Sequence, residues 1–450
     1  MTNKNNRATF SGKLGVILAT AGSSVGLGNI WRFPYTLGEN GGAAFLLIYI
    51  FCIFLLGLPA MLSEFYIGRH THRNAAGAFF SLAPGSKWSI VGYNGVLAAF
   101  LILGFYSVIA GWTLEYIYKA LSGELIGKSA IEFQTDFQTF TTGSFRPIMW
   151  TISFILMTHF IIISGVKKGI EGSSKIMMPL LFIIIVIMGL RSVTLDGASE
   201  GLKFLFYPDF SKITPGVVLS AMGQAFFSLS VGMGILITYS SYFGKKTNLQ
   251  QVALQVISID TIVAILAGIM IFPAVFSFGI KPTAGAELVF ITLPNVLIQL
   301  PWGSAWAFVF FLLLAVAALT STISLHEVIT AYLSEEMRMT RKKASWVVTL
   351  LLIMLGSISS LSLGRWSAYT IAGMNFFNLI DFVTAKIMLP FGGMMICLFI
   401  HFHIKKEDLR KEFTNNGTSR FYCFNTLIFL IRWVSPILIA LVFLNQFGLI

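Results

Sequence analysis

The sequence predicts an all-α polytopic membrane protein of 11 transmembrane helices, built as a 5+5 inverted repeat whose helices 1 and 6 break at mid-membrane. Three observations predict it. The 450 residues are 56% hydrophobic and 11% charged, against roughly a quarter charged in a soluble domain. Apolar runs of about twenty residues, enough to cross ~30 Å of hydrocarbon, recur along the chain. One polar, glycine-rich pentapeptide also occurs twice inside such runs. A transmembrane barrel would show short alternating strands instead, and no polar domain is present to carry the +12 net charge onto a nucleic acid.

Apolar runs between polar breaks set the spans at 14–36, 42–67, 89–118, 147–165, 173–192, 215–241, 252–278, 303–333, 345–362, 370–400 and 424–447. The first follows a basic N-terminus but contains Arg32 and runs into Phe33-Pro34-Tyr35 without a small-residue cleavage site. It reads as a retained helix rather than a signal peptide. The longer connections are 119–146, 193–214 and 279–302, and in the last of these Pro282, Pro294 and Pro301 bracket an amphipathic piece expected to fold over one face. The chain reads as a single domain over 1–450, with repeats at 13–193 and 215–404 and an eleventh helix at 421–450.

Cys52, Cys397 and Cys423 lie in apolar runs with no paired spacing, and the six histidines form no H-x-x-x-H pair. Neither a disulfide framework nor a Cys/His metal site is expected. Lysine and arginine alternate between the two sides. One side collects Lys4, Arg7 and Lys13, then Arg69, Arg73 and Lys87, Lys167, Lys168 and Lys175, Lys245 and Lys246, Arg338 to Lys343, and finally Lys405, Lys406, Arg410, Lys411 and Arg420. The other side holds the sparser Lys119, Lys128, Arg146, Arg191, Lys203, Lys212, Lys281 and Arg365. The positive-inside rule then predicts a cytoplasmic N-terminus and an outside C-terminus.

The repeated pentapeptide is Ser24-Val25-Gly26-Leu27-Gly28 in span 1 and Ser230-Val231-Gly232-Met233-Gly234 in span 6. Five helices per half is an odd number, so the two copies enter the membrane from opposite sides. Glycines in membrane helices often serve only as packing notches. The pair at corresponding positions, flanked by polar side chains, points to broken helices. Non-helical backbone at that depth survives only where something inside the protein satisfies it. Freed N–H groups at a half-helix N-terminus attract a carboxylate, and freed carbonyls at a half-helix C-terminus suit a small cation. A site offering both binds a zwitterion and a cation together, which outlines a sodium-coupled amino-acid transporter and no enzyme.

The strings Gly22-Ser23-Ser24-Val25-Gly26-Leu27-Gly28-Asn29-Ile30-Trp31-Arg32-Phe33-Pro34, Glu39-Asn40-Gly41-Gly42, Gly223-Gln224-Ala225-Phe226-Phe227-Ser228-Leu229-Ser230 and Leu319-Thr320-Ser321 closely resemble the neurotransmitter:sodium symporter family. The resemblance is to its bacterial branch, the leucine and hydrophobic amino-acid transporters, and runs from about residue 7 to the end. It implies the same broken-helix architecture, for which a family member is a standing example, and a multi-pass protein of the bacterial inner membrane. It also implies two sodium sites. One would take the carbonyls of Gly22, Val25 and Ala317 with the hydroxyls of Thr320 and Ser321, all oxygen donors such as a hard cation prefers. The other would take the Ser24 carbonyl, Asn29, Ser228 and the substrate carboxylate. Asp260 stands there where many relatives have Asn. A carboxylate in a membrane helix is costly and usually functional, and beside sodium it would fill the role that chloride fills in the animal relatives, so chloride independence is expected.

Relatives that carry amines lacking a carboxylate have an Asp where this chain has Gly26. The resemblance therefore implies a substrate that brings its own carboxylate, an α-amino acid. That group would meet the Leu27 and Gly28 N–H groups and the Tyr106 hydroxyl, and the ammonium would meet the Ser24 and Phe227 carbonyls and Ser230. The side chain would lie among Ile102, Tyr106, Phe227, Met233, Ser321 and Leu325. With no charge in that set, the substrate should be a neutral, hydrophobic or aromatic L-amino acid, and adaptable Met233, where phenylalanine is common, leaves room for a large one.

For alternating access, the resemblance implies an outer gate of Arg32 and Asp381 above Tyr106 and Phe227, and an inner cluster of Arg7, Phe10, Tyr242 and Glu335. Gly169 and Pro179 match a motif whose helix unwinds to hydrate the inner sodium site. Glu64 matches a buried carboxylate hydrogen-bonded near the unwound helix 1. His326, Glu327 and Lys386 receive no role. Sodium ions, a small-molecule substrate and the lipid bilayer are the partners expected, with no nucleic acid and no obligate protein partner. The alternatives are a sodium-dependent amino-acid sensor, which binds without transport, a channel-like pore, and an intramembrane hydrolase, for which no nucleophile–base spacing is present.

Overall fold

The computed structural model describes residues 7–279 and 288–446. Lys4, Lys281 and Pro282 lie outside them, as do the last residues of the eleventh span. The described chain is helical: α1 (Lys13–Ser24), α2 (Gly28–Glu39), α3 (Ala43–Thr71), α4 (Ala75–Leu82), α5 (Ser89–Ser122), α6 (Ala130–Thr142), α7 (Arg146–Ile163), α8 (Val166–Val193), α9 (Ala198–Phe206), α10 (Pro215–Ser228), α11 (Ile235–Ser240), α12 (Leu249–Ser277), α13 (Leu288–Ile298), α14 (Gly303–Glu336), α15 (Arg341–Leu361), α16 (Phe376–His403), α17 (Lys406–Phe413) and α18 (Phe424–Gln446).

Among the described residues, 9 of these helices are long and apolar enough to cross a membrane, and 10 spans result if α1 and α2, bent by 50° at their junction, are taken as one. The span expected at 215–241 is divided into α10 and α11 and is too interrupted to pass as one helix. The other expected spans each correspond to a helix, with ends displaced by a few residues. Span 5 begins at Val166 rather than 173, because a π-helical turn, Val166–Glu171, carries the polar residues Lys167 and Lys168 into the helix. Between spans, the connections 119–146 and 193–214 fold into α6 and α9, and the proline-bracketed stretch contains the apolar α13.

A helix apolar on every face is buried or faces lipid, and burial separates the two cases. The most apolar windows of α5 and α14 are 83% and 78% covered by protein, whereas those of α7 and α18 are 39% covered. The two 34-residue helices, each about 51 Å long at 1.5 Å per residue, form the central pillar and the others sheath it. Close approach is made by small residues, as in membrane bundles generally. A Cβ at Gly111 of α5 would lie 2.7 Å from the Thr151 nitrogen of α7, so this crossing needs glycine.

Six π-helical turns interrupt the described helices, at Gly28–Arg32, Ile53–Gly57, Val166–Glu171, Leu288–Thr292, Phe382–Met388 and Leu430–Val434. An i→i+5 turn places residues five apart one above the other, where an α-helix would separate them by about 140°. In α16 this brings Lys386 toward the face of Asp381, and both line one cavity.

Candidate functional site

Both S-V-G-x-G strings lie where helix stops. After α1, Val25 turns extended (φ −74°, ψ 109°) before the chain resumes as the π-turn that opens α2. Between α10 and α11, Ser230, Gly232 and Gly234 take φ of 55°, 85° and 72°. Left-handed backbone suits glycine, and at Gly232 a side chain is excluded twice over, since a Cβ would also sit 2.6 Å from the Leu389 carbonyl. That backbone turns the Gly232 N–H onto Glu64 Oε1 at 2.7 Å. Glu64, expected beside the first break, thus satisfies a donor of the second, and it is fully buried.

The breaks face one another across a small cavity lined by Ser24, Gly26, Gly28, Ile102, Tyr106, Phe227, Ser228, Ser230, Met233, Ser321 and Leu325, together with Ser23 and Ile235. No charged side chain lines it. The Leu27 N–H donates to the Tyr106 hydroxyl at 3.2 Å, and the Ser230 hydroxyl donates to the Ser23 carbonyl at 2.9 Å, joining the two breaks directly. The buried Ser24 hydroxyl has no hydrogen-bond partner among the described residues. A Cβ at Gly26 would fall 2.3 Å from Ser321 Oγ and 3.2 Å from the Tyr106 hydroxyl. Glycine there keeps the cavity open.

Two oxygen-rich clusters flank this cavity. In one, the Thr320 hydroxyl lies 3.1 Å from the Val25 carbonyl and 2.8 Å from that of Ala317, donating to one or other. Gly22 lies beside it, with its Cα facing the Thr320 Cβ, and Ser321 turns its hydroxyl toward Gly26. In the other, Asn29 accepts from the Gly26 N–H at 3.1 Å and donates to Asp260 Oδ1 at 2.8 Å and to Ser228 at 3.2 Å. Ser228 lies 2.9 and 3.0 Å from the two Asp260 oxygens. Tyr49, which the sequence reading passed over as one aromatic in an apolar run, points its hydroxyl at Asp260 Oδ2 and Ser228, at 3.3 Å from each. Asp260 is fully buried, and among the described residues no lysine or arginine pairs with it. An isolated buried carboxylate is costly unless donors surround it, and Asn29, Ser228 and Tyr49 do so.

Above the cavity, a larger vestibule is lined by Trp31, Arg32, Tyr35, Tyr106, Phe227, Phe377, Asp381 and Lys386, among others. The Arg32 guanidinium lies over the Phe227 ring, 4.1 Å from its centroid. Asp381 faces it from α16 across the vestibule.

Below the cavity, a second cluster joins the start of the chain to α14 and to the end of α11. Arg7 pairs with Glu335 and covers the Tyr242 ring at 4.7 Å. The Phe10 N–H donates to the Tyr242 carbonyl at 3.1 Å, and its ring meets Tyr242 edge-on. The cluster is wider than the residues expected from sequence. Asn74 gives its N–H and its amide to Glu335 at 2.8 and 3.0 Å. Glu327, fully buried, accepts from Tyr242 at 2.6 Å and from both terminal nitrogens of Arg341 at 2.8 and 2.5 Å. His326 points elsewhere, between Thr330 and Thr349 at 2.9 and 3.1 Å. Gly169 lies in the π-turn of α8, where a Cβ would meet the Ile161 carbonyl at 2.0 Å, and Pro179 lies inside the same helix.

Comparison with known proteins agrees with this geometry. The model of the sodium:neurotransmitter symporter family matches residues 7–136 and 128–449. The sodium-dependent transporter YhdH of Bacillus subtilis is 41% identical over 441 residues, covering 98% of each chain. A sodium-dependent transporter of Haemophilus influenzae is 39% identical, covering 99% of each chain. Among solved structures, MhsT in complex with L-phenylalanine is 45% identical and superposes with a TM-score of 0.90, covering 98% of this chain and all of that one. The chain belongs to the sodium:neurotransmitter symporter family.

Proposed function

We propose that this protein is a sodium-coupled symporter that imports neutral, hydrophobic or aromatic L-amino acids by alternating access, without chloride. The observation that carries the reading is the uncharged cavity between the two helix breaks. Its polar edge offers the Leu27 and Gly28 backbone and the Tyr106 hydroxyl to a carboxylate, and the Ser24 and Phe227 carbonyls with Ser230 to an ammonium. Its other walls, Ile102, Met233 and Leu325, are apolar. MhsT was solved with L-phenylalanine, which supports a large apolar side chain.

Sodium would enter with the substrate at two sites, one at Gly22, Val25, Ala317, Thr320 and Ser321, the other at Ser24, Asn29 and Ser228 beside Asp260. The fixed negative charge of Asp260, held by three donors of its own chain, stands where an anion would otherwise be recruited. Arg32 and Asp381 gate the outer side, and Arg7, Phe10, Tyr242 and Glu335 the inner. Ligands shift such an equilibrium only through differential affinity for its states, and sodium and substrate together bridge the breaks on which both gates hang. The protein is read as 11 spans in two inverted five-helix repeats within a bacterial inner membrane, N-terminus in the cytoplasm.

Uptake of labelled L-phenylalanine and L-leucine into proteoliposomes tests this. A sodium gradient should drive accumulation, equally in chloride and gluconate. Uptake indifferent to sodium, or binding without accumulation, would overturn it.

A further inference from the structure

The first half-helix, α1, begins with no internal support. Gly12 at its N-cap has no side chain to offer, and no acidic residue lies in its first turn. The first backbone N–H groups of any helix lack intrahelical partners and concentrate positive potential. Here a carboxylate of another helix lies against that end and binds the residue just before the N-cap. Glu171, the last residue of the π-turn in α8, accepts from the Ser11 N–H at 2.8 Å and from the Ser11 hydroxyl. It reaches this position because residue 15 is glycine: a Cβ there would lie 2.1 Å from Glu171 Oε1. The carboxylate is buried, and its only cation within ion-pair distance among the described residues is Lys175, one turn on, at 2.7 Å.

The segment leading into α1 is therefore tied at three places: Arg7 to Glu335 of α14, Phe10 to the Tyr242 carbonyl just after α11, and Ser11 to Glu171 of α8. The first two involve the expected closing cluster. The third has a different anchor, the stretch of α8 that holds Gly169 and is already wound as a π-turn.

We propose that Glu171 is a positioning residue of the inner gate, a carboxylate that ties the residue leading into α1 to α8 and makes release of the N-terminal segment and unwinding of the Val166–Glu171 turn one event. While Ser11 is bound, Glu171 fixes the end of the π-turn against α1. When α1 swings away, the carboxylate loses two donors and keeps Lys175, so the π-turn is freed to unwind without leaving its charge unpaired. Lys175 thus competes with Ser11 for the same oxygens: Oε1 takes both the Ser11 hydroxyl and the Lys175 ammonium. The inference rests on the alternating-access reading above.

Hydrogen–deuterium exchange of the full-length protein in detergent, in sodium and in potassium buffer, tests it without needing transport. Hydrogen bonds to a charged group contribute about 1.5–3 kcal/mol, so Glu171→Ala should speed exchange of the 7–17 segment about tenfold or more and raise exchange at 166–175 with it. Because the gates oppose each other, exchange around the outer vestibule, 100–110 and 376–388, should slow. Glu171→Gln, which keeps an acceptor, should fall between Glu171→Ala and the parent, and so should Ser11→Ala. Lys175→Met, which removes the competitor, should slow exchange at 7–17. A Glu171→Ala profile equal to the parent overturns the proposal. So does Lys175→Met behaving like Glu171→Ala, which would mark a merely structural ion pair. A parent protein whose exchange ignores sodium altogether would instead count against the transport reading. Should Glu171→Ala fail to fold, the opposite signs expected for Ser11→Ala and Lys175→Met still decide the question.

Discussion

Asn29 reaches from the first helix break to the Asp260 carboxylate of α12 at 2.8 Å, and its other amide atom accepts from the Gly26 N–H at 3.1 Å. One side chain therefore ties the backbone of the break, where a substrate carboxylate would rest, to the fixed charge beside it. Asp260→Asn removes that charge while keeping the size of the side chain. Uptake should fall sharply in gluconate and recover in chloride, where the parent is indifferent to the anion. Equal uptake by the variant in both buffers would refute the assignment.

The cavity depends on an absent side chain. Gly26→Ala places a methyl group 2.3 Å from Ser321 Oγ and 3.2 Å from the Tyr106 hydroxyl. Substrate affinity should drop at least about tenfold, because backbone and hydroxyl groups must part to admit it, while thermal stability moves by only a few degrees. Equilibrium binding of labelled amino acid, set beside a melting curve, separates the two effects.

Tyr106→Phe strands the Leu27 N–H, which now donates to the hydroxyl at 3.2 Å. An unpaired buried donor costs about 1–3 kcal/mol. Since that hydroxyl is also proposed to meet the substrate carboxylate, the apparent KM should rise about tenfold with little change in expression, as read by initial uptake rates.

Beneath the site, Glu327 is fully buried and held by Arg341 and Tyr242. Breaking a buried pair by removing one partner costs about 3–5 kcal/mol, whereas replacing both with apolar groups is often neutral. Arg341→Met should lower the melting temperature markedly, and Glu327→Met with Arg341→Met should restore most of the loss. A double variant as unstable as the single one would show that the pair does more than neutralise itself.

Asp136 of α6 accepts from Lys119 and Lys128, each at 2.8 Å. Partial burial raises its carboxyl, but the two ammonium groups outweigh this and hold it below the usual range. A carboxyl depressed in the folded state adds stability above its ordinary value, about 3.9, and loses it as pH falls through the lower folded value. The melting temperature should stay level from pH 7 to about 5 and decline below about 4. Asp136→Asn should melt lower at neutral pH and flatten that decline.

Much of this arrangement was legible in the sequence because its signals are local. The spans follow from runs of apolar residues, and Ser24–Gly28 and Ser230–Gly234 mark breaks because one glycine-rich string recurs at corresponding positions beside polar side chains. The cavity residues come together as expected from those two strings and from Tyr106, Ser321 and Leu325. The partners that escaped notice are long-range. Tyr49 meets Asp260 across 211 positions of sequence, Asn74 meets Glu335 across 261, and Glu171 meets Ser11 across 160. Nothing in their own neighbourhoods marks them, since an aromatic in an apolar run or a glutamate near lysines has the same appearance wherever the fold takes it. The π-turns escaped for a related reason. Their residues follow no period distinct from the helix around them, and tertiary packing selects them.

Those turns carry an evolutionary consequence. A π-turn amounts to one extra residue accommodated inside an α-helix, so it can be gained or lost by a single-codon insertion or deletion. Losing one codon within Phe382–Met388 would restore α-helical winding there and leave the helix on either side in register, because the wider turn has absorbed the extra residue. Only the residues of the turn itself would be re-aimed or lost, and these stand beside Asp381 and Lys386 in the vestibule wall. A lineage could in this way re-equip the mouth of its transport pathway in one mutational step, leaving the cavity below untouched.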